Sequence, residues 1–122
     1  MNYSDLARTE MSDALYAFID LGVAENKKIE VLTETGGVLC TNLLAVPIGS
    51  VDSAGVLRLE VQTATATGNG TAHEVKIYNG ASQEVATVPV VEGNVPLTNT
   101  VVMSSTTITV GASLDYNTIV LE

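Results

Sequence analysis

The stretch from Thr71 to Val90, TAHEVKIYNGASQEVATVPV, constrains the fold of this chain more than any other. His73, Val75 and Ile77 alternate with Glu74, Lys76 and Tyr78, the period-two pattern of a strand with one buried face. Asn79-Gly80 supplies residues that tolerate positive φ, Ala81-Ser82 lengthens the loop, and Glu84 to Val90 is expected to return antiparallel. Pro89 lacks a ladder donor, which places its part of the second arm at a strand end or a sheet edge.

The composition suits a body built round such a hairpin. Hydrophobic residues make up 46% of the 122-residue chain but aromatic ones only 4%, and the Val, Ile, Leu, Ala and Thr that dominate favour pleated, half-buried surfaces. The length fits one domain with a single core, an N-terminal helix within residues 1–22 followed by a β body at 23–122. Five Lys and Arg stand against fourteen Asp and Glu, so the net charge of −9 repels phosphate backbones and anionic bilayers; neither nucleic acid nor membrane is expected as a partner. Cys40 is the sole cysteine, which rules out an intrachain disulfide and leaves a reducing cytoplasm as the expected setting. Asp5, Glu10, Asp13 and Asp20 interrupt the first apolar residues, so no signal peptide is expected, and no apolar run approaches the ~18 residues of a membrane span.

From Ser4 to Leu21 the residues Ala7, Met11, Ala14, Leu15, Phe18 and Leu21 recur at spacings of three and four and predict one amphipathic helix. Ser4 suits the N-cap, Asp5 the first turn and Gly22 the left-handed exit. The stripe must be covered by the domain's own sheet, the first expectation, or by a neighbouring copy. Strands are expected at Lys27 to Leu32, Val38 to Leu44, Val56 to Thr63, Leu97 to Met103, Thr106 to Val110 and Leu114 to Leu121. Ala45 to Gly55 reads as a loop or crossover arm. With the central hairpin this makes a mainly β fold, an antiparallel sandwich or jelly-roll-like body of about eight strands.

Residues with chemical potential are sparse. His73 is the only histidine and no Cys ligand lies near it, so a metal site or a hydrolytic triad would rest on it alone. Cys40 lies in an apolar strand, where a thiol acts as a small hydrophobe. Glu74 and Glu84 are positioned to face one another across the hairpin, but with so many acids such pairs arise by chance. The Asp115-Tyr116-Asn117 step is too short for a calcium loop, and Gly68-Asn69-Gly70 precedes a strand where a phosphate loop needs a helix. No catalytic activity, cofactor or metal is expected. Tyr78 and Tyr116 are the aromatics of the β body, and they support a carbohydrate- or receptor-binding module as the alternative function.

End to end, the order of segments resembles a family of short structural proteins of tailed bacteriophages. The matching pieces are Ala14-Leu15 with Ile19-Asp20, Lys28-Ile29-Glu30-Val31, Leu43-Leu44-Ala45-Val46-Pro47, Gly55-Val56-Leu57, Gly70-Thr71-Ala72 to Ile77-Tyr78-Asn79-Gly80, and Ile108-Thr109-Val110-Gly111 to Thr118-Ile119-Val120. Two positions depart from that pattern: Glu74-Val75 replaces an aromatic in the G-T-A strand, and Leu32-Thr33-Glu34 replaces an L-R-I-Y ending. The resemblance implies a virion component assembled in the host cytoplasm, either a capsid decoration or cement protein or a neck or tail-associated one. Its expected partners are its own copies, in a trimer or ring, and capsid or tail proteins. The expected contact residues are Met11, Leu15 and Phe18 on the helix, Pro47 and Ile48 on the arm, and Tyr78 and Tyr116 on the body.

Overall fold

The computed structural model describes residues 3–114 and 118–122. The fold is mainly β, with 47% of residues in strands and 15% in helix, so the sheet and not the helix carries the core. The helix α1 (Asp5–Ile19) comes first, followed by a single 3-10 turn (Ala24–Asn26). The strands are β1 (Lys28–Leu32), β2 (Val38–Val51), β3 (Leu57–Val61), β4 (Ala64–Thr65), β5 (Gly70–Thr71), β6 (Glu74–Tyr78), β7 (Glu84–Glu92), β8 (Val101–Met103), β9 (Thr107–Ile108), β10 (Ser113–Leu114) and β11 (Ile119–Leu121). The strand count exceeds the expected eight or so because two-residue pieces form at β4 and β5, between β3 and the central hairpin, and at β10 near the end.

Seven strands form one sheet in the order β11-β3-β2-β1-β6-β7-β8. β7 and β8 run parallel, and the other neighbours in the sheet are antiparallel. This sheet curls until its ends nearly meet, because Thr98, just ahead of β8, bridges in parallel to Val120 of β11. The inward face is apolar at alternate positions: Ile29 and Val31, Leu57 and Leu59, Val75 and Ile77, and Ile119 and Leu121 are all 5% exposed or less. Two small ladders, β10-β4 and β5-β9, carry the crossing segments.

The central hairpin forms as its alternation predicts, with Val75 paired to Val88 and Ile77 to Ala86. Its turn is organised by Asn79, fully buried, whose Oδ1 accepts the N–H groups of Ala81 and Gln83 at 3.0 Å each. Gly22 crosses this turn in the left-handed region (φ 92°) so closely that a side chain on Gly22 or Gly80 would overlap the other backbone. The Val23 N–H donates to the Gly80 carbonyl at 3.1 Å, which ties the helix exit to the hairpin.

The arm expected at Ala45 to Gly55 is instead largely strand. β2 runs on to Val51, and only a tight turn remains, in which Asp52 Oδ1 accepts the N–H groups of Ala54 and Val56. Pro47 fits because residues 45–48 leave the ladder as an excursion between the Leu44–Val61 and Gly49–Leu59 pairs, where no proline donor is required. The Val46-Pro47 peptide bond is cis, and Val46 at the tip is 77% exposed.

Candidate functional site

The first segment is helical because Ser4 caps it, its Oγ accepting the Ala7 N–H at 3.2 Å, and because Ala, Leu, Met, Arg and Glu fill the turns. One face of α1 docks on the body. Ser12 is buried and donates to the Gly55 carbonyl at 2.5 Å, Leu15 and Tyr16 are half-buried against the core, and Ile19 is fully buried within it. Gly55 carries no side chain where the Arg8 and Thr9 backbone crosses it; a Cβ there would overlap the helix. Burial of Ile19 alone is worth about 1.5–3 kcal/mol.

The opposite face is apolar and uncovered. Leu6 is 72% exposed, Met11 53% and Phe18 41%, with Ala14 and Ala17 also exposed between them, and the line continues through Tyr3 before the helix and Leu21 and Val23 after it. The expected stripe therefore divides: Leu15 packs against the core and Ala7 is half-buried, whereas Met11, Ala14, Phe18 and Leu21 are exposed. The body takes the face of Arg8, Ser12, Leu15 and Ile19, where the Gly55 backbone meets Arg8 and Ser12 and the core takes Ile19. Large apolar side chains lie next to one another along one helix, in place of the single scattered hydrophobes of an ordinary surface.

Electrostatics adds a second property. All five Lys and Arg of the chain are engaged: Arg8 with Asp5, Lys27 with Asp20 at 2.7 Å, Arg58 with Asp52 at 2.6 Å, Lys76 with Glu84 at 3.3 Å, and Lys28 over the Tyr78 ring at 5.4 Å. Such exposed pairs add little stability. Among the described residues, Glu10 and Asp13, both exposed on α1, form no salt bridge. Asp52 is held below the usual carboxylate range by its hydrogen bond from Arg58 and by the backbone N–H groups of its turn.

The expected contact residues separate. Met11 and Phe18 are on the exposed stripe, and Pro47 is exposed on the β2 excursion. Leu15 faces the body and is half-buried. Ile48 is a correction: it is 1% exposed and belongs to the core, since the excursion turns its side chain inward on regaining the ladder. Tyr78 is half-buried; Lys28 covers one ring face, and a hydrogen bond to Glu30 together with burial pushes its phenol up to about 12. Tyr116 and the Asp115-Tyr116-Asn117 step lie outside the described residues.

His73 stands ahead of β6 and is exposed, not inward as its parity suggested; it lines an open groove of about 330 Å³ with Glu74, Thr87 and Pro89. Glu74 pairs with Pro89, and Glu84 pairs with Tyr78, so the two carboxylates do not face one another. Cys40 is fully buried, its thiol pushed up by burial and donating to Asn42 Oδ1 at 3.3 Å. Among the described residues, no group of three or more His, Cys, Asp or Glu is placed to hold a metal ion, and no helix is long and apolar enough to cross a membrane. Glu10, Ser12 and Asn42 escaped the sequence reasoning. For Ser12 the signal was its place on the line Arg8, Leu15, Ile19. Comparison with protein-family models, curated proteins and solved structures finds no match for this chain.

Proposed function

We propose that this chain is a non-enzymatic structural subunit that works by association, its copies meeting through the outer face of α1. The carrying observation is the exposed apolar line Leu6, Met11, Phe18 and Leu21 on a helix whose other face is already anchored. The likeness of the segment order to short tailed-phage proteins supports a virion setting, with the body acting as a jelly-roll-like sandwich. In that setting the subunit decorates the capsid or joins the neck or tail, and the Val46-Pro47 tip forms a second contact with the particle.

The mass of the full chain by light scattering behind a sizing column tests the association. The expected result is a trimer or ring whose share of the mass rises with concentration, reduced to monomer by Phe18→Glu. A monomer at every concentration, or an unchanged mass for Phe18→Glu, contradicts it.

A further inference from the structure

We infer that Asn69 is a site of spontaneous, structure-assisted deamidation, with the Val110 N–H poised on the oxygen at which negative charge develops. Asparagine followed by glycine favours this chemistry, because no side chain on the glycine hinders the attack of its nitrogen on the amide carbon. The chain has two such steps, Asn69-Gly70 and Asn79-Gly80, and the fold treats them oppositely. Asn79 is fully buried, its Oδ1 accepts the N–H groups of Ala81 and Gln83, and its Nδ2 donates to Gln83 Oε1 at 3.0 Å. The Gly80 carbonyl is held by the Val23 N–H and Asn26 Nδ2 at 3.1 Å each. Asn69 is exposed, and the Val110 N–H donates to its Oδ1 at 2.8 Å.

Ring closure forms a bond from the Gly70 nitrogen to Asn69 Cγ and breaks the Cγ–Nδ2 bond, and the Gly70 proton leaves with the amide as ammonia. Solvent water then opens the succinimide at either carbonyl, giving aspartate or isoaspartate. The tetrahedral intermediate carries its negative charge on Oδ1, where a donor at 2.8 Å has the reach of an oxyanion-hole N–H. Gly70 pairs with Ile108 in β5-β9, a ladder of only two residues, so its N–H is released by local opening without unfolding. Val110 stays in place when that ladder opens, because its turn is fastened separately. The Gly111 N–H donates to the Ala66 carbonyl at 3.0 Å, and the Ala66 N–H to the Ala112 carbonyl at 2.8 Å.

Incubation of the full chain at mildly alkaline pH, folded and in urea, followed by peptide mapping with mass spectrometry, tests this. In the folded chain Asn69 converts at least as fast as in urea while Asn79 stays intact; in urea the two convert alike. Val110→Pro removes the N–H donor and suits its place. Val110 is the second residue of a turn closed by the Ala112 N–H on the Thr109 carbonyl at 3.0 Å, with Gly111 at φ 89°. The variant slows folded-state conversion of Asn69 about tenfold, the worth of one hydrogen bond to a developing charge, and leaves the rate in urea unchanged. Conversion of Asn69 no faster than that of Asn79 in the folded natural chain overturns the site. Equal folded-state rates for Val110→Pro and the natural chain overturn the assistance, and so, without recourse to the variant, does an Asn69 rate that folding lowers.

Discussion

Asn42 lies fully buried among aliphatic side chains and is held by polar groups from three separate segments. Its Nδ2 donates to the Gln62 carbonyl at 2.9 Å and the Leu114 carbonyl at 3.1 Å, and its Oδ1 accepts from Cys40. Asn42→Ala removes the donor to both part-buried carbonyls and the acceptor of the Cys40 thiol, and a loss of about 1–3 kcal/mol in urea unfolding is expected. Tyr78 makes a pH prediction. Its phenol sits at about 12 because Glu30 accepts its hydrogen bond and burial disfavours the anion. The folded value lies above the unfolded one, so its contribution is fully present below the unfolded value, ~10, and is lost as pH rises through about 12. Tyrosinate absorbance of the natural chain against Tyr78→Phe isolates this group; a transition near 10 would contradict the hydrogen bond. At this scale the sequence is informative about parity and silent about partners. Alternation around Cys40 puts Asn42 inward, yet nothing near it predicts carbonyls twenty and seventy-two residues away.

The helix shows how an element can be correctly recognised and wrongly oriented. Its extent and Ser4 cap follow from local spacing and chemistry, which act within a few residues. Its orientation depends on Gly55 and the Asp52 turn, contacts made more than forty residues away. Counting apolar residues selects Met11, Ala14 and Phe18, whereas the docked face includes Arg8 and Ser12, polar residues suited to a turn carbonyl. Ser12→Ala leaves the Gly55 carbonyl unmet and is expected to lower stability by about 1–2 kcal/mol. Gly55→Ala forces the turn away from α1 and exposes Ile19, read as faster amide exchange along the helix with β1 and β6 still protected. Uniform exchange across helix and sheet would show that α1 and the body unfold as one unit.

At the scale of the whole molecule the sheet is shaped by its closure. Asn99, with φ 56°, donates its backbone N–H to the Val120 carbonyl at 2.7 Å, while its side chain accepts the Glu122 N–H at 2.9 Å and donates to the Glu122 carbonyl at 3.3 Å. These bonds hold β11 against the segment leading to β8. Asn99→Ala removes the side-chain pair and disfavours the left-handed backbone, for about 2 kcal/mol, with faster amide exchange confined to β11 and its neighbours. Mainly β character was legible from alternation and turn residues. The strand order was not, because periodicity records which face is buried and carries no information on which strand lies alongside.

The central claim, that copies cover the outer face of α1, is tested most directly by methionine oxidation followed by mass spectrometry across protein concentration. Met11 is 53% exposed and Met103 only 6%, so one reports on the helix face and the other serves as an internal control. Met11 oxidation should slow as association sets in and stay fast at all concentrations in Phe18→Glu, with Met103 slow throughout. Equal Met11 oxidation in the associated natural chain and in Phe18→Glu would place the contact elsewhere and contradict the account.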